Sequence, residues 1–480
     1  MREKMNAVCL PESYTYNILP GLGVEVEVEH NPYTIPLDVM FSMAARKNKK
    51  RRFLFVSQIL GKHIPVDPMI PITGGRLLAA RFMQEICGKD DIETDALVQK
   101  LLHPKTRNTD ADFIDPPAFE LAQQMLVIGF AETATALGAA FFDSFAGQAR
   151  YIHTTRERIK DFQPQISFEE EHSHATSHRC YPIDPKFLAG SDPVVLVDDE
   201  ITTGKTALNI IEELHAHYPR SEYMVVSLLD WRSEADRARF SAMERRLGVR
   251  IRCISLISGK IEVQENTTED VSDSLILDGP IPYSCLSSGI KENSTLDAYN
   301  LSFSNRLSLV STNAAGTEKS VPYVQATGRF GLTSQLSKTT AREIAHAAAF
   351  LKKTRSGGRT LCMGTGEFMY LPMQIAAQMG EDVFYQSTTR SPIYPAYRQD
   401  YAVRTAYCYP NPEDPAVLHY FYNVEPGMYS EVYFFMERKV DQQRMEALYQ
   451  VFRSLRIPRL SIVTLSHSGR DEDGDLYPND

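Results

Sequence analysis

Short aliphatic runs, each closed by small or polar residues, recur along the chain with helix-period segments between them. Met125-Leu-Val-Ile128, Tyr151-Ile-His-Thr-Thr155, Val194-Val-Leu-Val197 and Tyr223-Met-Val-Val-Ser-Leu-Leu229 read as strands. Gly129 to Gly138 leads into a helix running to about Phe145, and Thr206 to about His217 forms a second, amphipathic helix. This alternation, with its β-branched runs, predicts an α/β fold in which helices cover a parallel sheet. Upstream, Phe53-Leu-Phe-Val56 is a further strand. Residues 1–50 read as an irregular lead-in that contains one alternating segment, Val24-Glu-Val-Glu-Val-Glu29, expected as an edge strand with one wet face.

From about residue 262 the pattern dissolves into Ser, Asn, Thr and acidic residues, which stay frequent to Thr317. The change marks a connection between two units. The expected division is a first unit at 1–265, an irregular connection at 266–320, a second α/β unit at 321–467 and a flexible tail at 468–480.

Composition narrows the class. An apolar fraction of 43% with 23 Tyr and 23 Phe supports sizeable cores and excludes disorder throughout. The 51 basic and 61 acidic residues leave a net charge of −10, which argues against a whole-chain grip on nucleic acid. No apolar run reaches the roughly 18 residues of a membrane span, and the first residues lack an apolar signal-peptide core. The seven cysteines are odd in number, widely spaced and free of C-x-x-C, so reduced thiols and a cytoplasmic setting are expected. A basic run, Arg46 to Arg52, is either a solvated face or an anion-facing patch.

The chemistry concentrates in Val194-Val-Leu-Val-Asp-Asp-Glu-Ile-Thr-Thr-Gly-Lys-Thr206. A buried strand ends in two adjacent carboxylates, and a turn of hydroxyl and glycine residues then starts a helix. Such a turn offers amides, hydroxyls and a helix N-terminus to a phosphate monoester. Paired carboxylates accept hydrogen bonds from neighbouring sugar hydroxyls. A P-loop is excluded, because the position needing its first glycine is Asp199 and two acids inside the loop would repel a triphosphate.

This segment closely resembles the signature with which type I phosphoribosyltransferases bind 5-phosphoribosyl-1-pyrophosphate (PRPP). The resemblance implies that Asp198 and Asp199 bind the ribose hydroxyls and that Thr202, Thr203, Gly204, Lys205 and Thr206 hold the 5′-phosphate. It also implies Mg²⁺, held mainly by PRPP oxygens and water rather than by protein side chains. Gly129, Phe130, Ala131, Glu132 and Thr133 stand where the family has its pyrophosphate loop, with Glu132 departing from a neutral loop. Arg156 and Arg158 follow the next strand, where the family carries a basic residue facing pyrophosphate; for Arg158 a solvent-exposed role is the alternative. His172, His174 and His178 lie where the family has a mobile hood. They are read as hood chemistry, as a three-ligand metal site or as an ordinary surface loop.

Over most of its length the chain also resembles a narrower, orotate-phosphoribosyltransferase-like family, in which such a domain precedes a TRSP domain, found in bacterial tellurium-resistance and stress gene clusters. The matching segments are Arg52 to Ser57 with Leu60 to Pro65, the 129–138 loop, His153-Thr-Thr-Arg156, Glu171-His-Ser-His174 and Thr388-Thr-Arg-Ser-Pro392. By that resemblance alone, Lys62 and His63 are ligand candidates.

The second unit reads as a degenerate copy of the first. Arg329-Phe-Gly-Leu-Thr-Ser-Gln335 parallels Arg52 to Gln58, and Leu361-Cys-Met-Gly-Thr-Gly-Glu367 parallels Val127 to Glu132. Ser387-Thr-Thr-Arg390 parallels His153 to Arg156, and Val432 to Glu437 parallels Val194 to Asp199. This copy keeps Gly364, Thr365, Gly366, Glu367, Thr388, Thr389 and Arg390, which define a second candidate ligand site, but lacks the twin acids and the phosphate cup. It either binds a ligand, completes the first site or is a structural remnant. The expected activity is phosphoribosyl transfer from PRPP to a base-like nitrogenous acceptor with release of pyrophosphate, the alternative being a catalytically silent PRPP- or nucleotide-binding regulator. The resemblance leaves a homodimer open; a membrane partner is not expected.

Overall fold

The computed structural model describes residues 12–46, 52–88, 92–103, 119–169, 177–265 and 295–466. Residues 47–51 of the basic run, His172, His174, residues 266–294 of the connection and the tail lie outside the described residues.

The predicted α/β architecture is present. Five strands form a parallel array in the spatial order Arg250–Glu265, Glu222–Asp230, Val194–Ile201, Met125–Gly129 and Ala149–His153. A hairpin, Glu12–Leu19 and Leu22–His30, extends one side antiparallel, and Leu332–Thr333 closes the other. The described part of the lead-in, residues 12–46, is therefore largely regular structure, and the alternating segment is not at the edge. Val24 and Val26 are fully buried because their face packs into the main hydrophobic core, while Glu25 and Glu27 keep the wetter face.

The second unit repeats the order. Thr295–Asn300, Arg459–Thr464, Glu431–Met436, Thr360–Gly364 and Val383–Ser387 form an all-parallel five-stranded sheet. The position that Arg250–Glu265 holds in the first sheet is taken here by a strand that precedes its unit in sequence. Part of the expected irregular connection is thus regular structure. Arg306–Thr312 and Glu318–Val324 also pair, and the former reaches Arg158–Ile159 of the first unit.

Two features show why the copies fold alike. A Cβ on Gly129 would lie 2.6 Å from the Ala134 carbonyl and 2.8 Å from the Tyr151 hydroxyl; on Gly364 it would lie 2.6 Å from the Phe368 carbonyl and 2.8 Å from the Tyr385 hydroxyl. Only glycine permits either strand-to-loop turn. The Tyr151 hydroxyl donates to the Thr135 carbonyl, as that of Tyr385 does to Met369.

The repeat register differs from the one read in the sequence. Gly328, at φ +88°, presses on the Tyr151 ring, whereas Gly61, at φ +65°, presses on Tyr385. Structurally, Arg329 therefore matches Lys62 and not Arg52. Each arm crosses over: the segment before the first unit's helix Met69–Cys87 bridges the second sheet at Tyr385, and Leu332–Thr333 pairs with the first. One hydrophobic core, including Val127, Leu137, Met373 and Tyr433, is shared by both units, and each sheet has a separate core on its outer face.

Candidate functional site

The strand Val194–Ile201 pairs on both sides only as far as Val197, where its neighbour ends at Gly129; beyond that it continues against Glu222–Asp230 alone. Asp198, Asp199 and Glu200 are therefore carried on an extended overhang rather than in a loop, and all three are half-buried. The Asp199 N–H donates to Asp198 Oδ1 at 3.0 Å. The chain then turns through Thr202 and Thr203 to Gly204, which is left-handed at φ +68° and caps the helix Lys205–His217. No side chain caps that helix, so its first N–H groups stay directed at the turn. A Cβ on Gly204 would stand 2.4 Å from the Phe240 ring and 3.3 Å from Arg232 Cδ. Arg232 is buried, stacked 4.3 Å over Phe240 and paired with Asp230 at 2.7 Å, so it forms a rigid backing for the turn. Thr203, Lys205 and Thr206 complete the cup as half-buried residues, with the Lys205 N–H 3.5 Å from Thr203 Oγ1.

Beside this tip lies the loop Gly129–Thr133. Its Phe130 N–H donates to the Val197 carbonyl, and its Ala131 N–H donates to Thr154 Oγ1 at 2.8 Å. Lys62 reaches the loop, 3.2 Å from Glu132 and hydrogen-bonded to the Thr133 hydroxyl. Burial drives the Glu132 pKa upward, but Lys62, Arg156, His419 and Arg390 outweigh it and hold the carboxyl below the usual range. His63 does not join Lys62 at the loop. It packs edge-on against Tyr422, its carbonyl accepts from Asn423, and burial pushes its pKa down to about 3.

Glu132 crosses to the second unit. Its carboxylate accepts from the Thr389 hydroxyl at 2.8 Å and from the Arg390 N–H at 3.4 Å. Glu367 makes the reverse crossing, accepting from the Thr155 hydroxyl at 2.5 Å and the Arg156 N–H at 2.7 Å. Behind each turn stands a histidine: His178 pairs with Thr154 at 2.9 Å and His419 with Thr388 at 3.1 Å. The Gly366 N–H, at a φ +55° glycine, donates to Thr388 Oγ1, and the Thr365 hydroxyl donates to the Phe435 carbonyl. In the second candidate ligand site, Gly366, Thr389 and the Arg390 amide donate to protein groups, just as Ala131, Thr155 and the Arg156 amide do in the first unit, and Glu367 reaches across to the first unit's turn.

At the second unit's counterpart of the twin acids, Glu437 is buried and pairs with Arg329 at 2.9 Å. Arg329 also faces Glu157, which with Glu413 pairs to Arg438, and the Tyr323 hydroxyl donates to Glu157. Glu437, the counterpart of Asp199, is thus tied into a buried ion cluster with Arg329, Glu157, Arg438 and Glu413.

Two further sequence candidates are relocated. Arg158 is exposed on a two-residue strand bound to Ser311 and Thr312. His178 is fully buried on the strand Ser177–Cys180 and stacks on Phe168, so it belongs to packing rather than to a hood. Thr154, Thr155, Arg232 and Phe240 were not singled out from the sequence. The repeated Thr-Thr-Arg, with a glutamate 24 or 23 residues before its arginine (132 to 156, 367 to 390), was the available signal. Among the described residues, no group of three or more His, Cys, Asp and Glu could hold a metal. Two adjacent carboxylates at a half-buried tip nevertheless suit a hard cation that keeps water and substrate oxygens as its other ligands. No helix among them is long and apolar enough to cross a membrane.

Residues 40–260 match the family model described as phosphoribosyl transferase, and residues 326–452 match that of the TRSP domain C-terminal to it. Among solved structures, the chain is similar to the adenine phosphoribosyltransferase of Trypanosoma brucei in complex with AMP, pyrophosphate and ribose-5-phosphate. That match has 14% identity, covers 57% of this chain and 97% of that one, and has a TM-score of 0.29. A second is the orotate phosphoribosyltransferase of Mycobacterium tuberculosis H37Rv with inorganic phosphate, at 15% identity, 45% and 87% coverage and a TM-score of 0.21. No curated protein matches the chain.

Proposed function

Because the chain belongs to the phosphoribosyltransferase family that carries a C-terminal TRSP domain, we propose that it transfers phosphoribosyl from PRPP to a base-like nitrogenous acceptor and releases pyrophosphate. The observation that carries this reading is the twin-acid overhang at Asp198 and Asp199, set against a cup whose Gly204 admits no side chain.

The two ends of this feature suit the two ends of one ligand. Asp198 and Asp199 accept hydrogen bonds from the 2′- and 3′-hydroxyls and fix the ribose. The 5′-phosphate takes the cup from Thr202 to Thr206, where hydroxyls and the helix N-terminus favour a dianion. The pyrophosphate lies along Gly129 to Thr133, with Arg156 supplying positive charge. Mg²⁺ would be held mainly by PRPP oxygens and water, with Asp198 and Asp199 as the carboxylates available to it, and would supply charge neutralisation for the pyrophosphate leaving group. The protein's part is positioning and electrostatic stabilisation as the C1–O bond to pyrophosphate breaks and the acceptor nitrogen bonds to C1. The units of this reading are 1–265 and, since Thr295–Asn300 is a strand of the second sheet, 295–467 rather than 321–467. The family resemblance adds a cytoplasmic bacterial setting of stress or tellurite resistance and leaves the acceptor open.

The test incubates the protein, Mg²⁺ and PRPP with a panel of bases and small nitrogenous metabolites and measures pyrophosphate release, with Asp198→Asn/Asp199→Asn as the control. Release above that control supports transfer. PRPP binding without release for any acceptor favours the silent regulator, and absence of PRPP binding ends both readings.

A further inference from the structure

Both units have a Thr-Thr-Arg turn, and each turn receives a carboxylate from the opposite unit. Only the first unit has the twin acids and the cup. The two crossings are therefore alike in geometry but differ in what they can do.

We propose that Glu367, carried by the C-terminal unit, is a positioning residue for the pyrophosphate end of the first unit's site, acting through the Thr155–Arg156 turn. The inference rests on the phosphoribosyl-transfer reading above.

The geometry is specific. One Glu367 oxygen takes the Thr155 hydroxyl at 2.5 Å and the other the Arg156 N–H at 2.7 Å, so the carboxylate spans two consecutive residues. The Glu157 N–H donates back to Thr155 Oγ1 at 3.1 Å, which makes residues 155–157 one hydrogen-bonded unit. Glu367 is itself held from behind. Its side chain is 8% exposed, and Arg329 Nε lies 3.9 Å from the same oxygen that binds Thr155. Arg329 is in turn fixed by Glu437 and Glu157. The Thr135 hydroxyl, one helix start away from the pyrophosphate loop, is 3.3 Å from the Glu367 carbonyl. A buried carboxylate locked on both sides is a rigid strut, and its load is the backbone from which the Arg156 guanidinium projects. Displacing such a group by about 1 Å can cost on the order of a hundredfold in rate.

The experiment measures binding of PRPP, pyrophosphate and ribose 5-phosphate to the full chain by calorimetry, together with kcat and KM. Glu367→Gln keeps the shape and removes the charge. The expected result is roughly tenfold weaker binding of PRPP and pyrophosphate, with ribose 5-phosphate binding unchanged, because the cup at 202–206 is untouched. Thr155→Val approaches the same contact from the first unit and supplies the readout should Glu367→Gln fail to fold. Because Glu367 also holds the Arg156 N–H, the double variant is expected to cost less than the sum of the two single ones, the shared Thr155–Glu367 contact being counted in both. Equal loss of PRPP and ribose 5-phosphate binding, or no loss of either, overturns the inference. Wild-type protein that binds no PRPP ends the transfer reading itself and this inference with it, a result visible before any variant is made.

Discussion

The Glu132 carboxylate accepts a 2.8 Å hydrogen bond from the Thr389 hydroxyl across 257 residues, and Glu367 answers with a 2.5 Å bond from Thr155 across 212. This is how a symmetric dimer interface works: residue i meets j, and j meets i. Here both halves belong to one chain. A duplicated unit that exposes both a loop glutamate and a donor-rich turn can satisfy each with the other's partner, so one contact chemistry is used twice.

Glu132→Gln tests the electrostatics of that contact. The folded-state pKa of Glu132 is depressed below its ordinary 4.5; burial raises it, but Lys62, Arg156, His419 and Arg390 prevail. A depressed carboxylate stabilises the fold fully above its unfolded pKa, and that contribution is lost as pH falls toward the folded value. The variant is therefore expected to be less stable than wild type by about 2–3 kcal/mol near pH 7. The gap narrows steadily below about pH 4.5. Urea melts at pH 7, 5 and 3.5 check this, and a gap that widens on acidification contradicts it.

Asp198→Asn/Asp199→Asn separates function from stability. Asparagine keeps the size of each side chain and an oxygen that can still accept the Asp199 N–H, so the variant is expected to stay folded with a cooperative melt. Each lost charge-assisted hydrogen bond to a sugar hydroxyl costs about 1.5 kcal/mol or more, so PRPP affinity falls at least roughly a hundredfold. Calorimetry alongside thermal melts gives both quantities.

Gly204→Ala attacks the cup by shape alone. The new methyl meets the Phe240 ring at 2.4 Å on a backbone already at φ +68°. Strain of this kind costs about 1–3 kcal/mol. The expected phenotype is loss of both PRPP and ribose 5-phosphate binding, a pattern distinct from the pyrophosphate-end defect of Glu367→Gln. Retained ribose 5-phosphate binding would falsify the assignment of this turn to the 5′-phosphate.

Much of this was legible in the residues. Aliphatic runs such as Val194–Val197 and the glycine-opened loop at 129 carry strand and turn signals that depend on local sterics alone. The twin acids are equally plain, because two adjacent carboxylates followed by Thr-Thr-Gly-Lys-Thr form a local pattern that needs no distant partner to be seen. What local pattern could not convey was partnership across hundreds of positions. Arg329 aligns by eye with Arg52, since both precede Phe, yet a positive-φ glycine against a tyrosine ring sets its true counterpart as Lys62. Likewise Thr389 and Arg390 looked like free ligand donors, and only the fold shows that Glu132 takes the hydroxyl and the amide.

The crossed arms lead to a prediction about the units in isolation. Residues 1–265 alone would lose Leu332–Thr333, which pairs with Arg150 and Tyr151 at the edge of the parallel array. They would also leave unpaired the Val66 backbone, which exchanges two hydrogen bonds with Tyr385 at 3.0 and 2.7 Å. Half-buried Asp143 would lose Ser337, Tyr370 and Gln374 together, all of them partners from the second unit. The shared core would open to water along the face that holds Leu137 and Phe141. An apolar face of this kind opened to water is enough to consume the few kcal/mol of net stability a domain has. The isolated segment is therefore expected to show no cooperative melt and no PRPP binding, whereas co-expression with residues 295–480 restores both in a complex that co-elutes on size exclusion. A 1–265 fragment that melts cooperatively and binds PRPP like the full chain would mean that the two units merely adjoin.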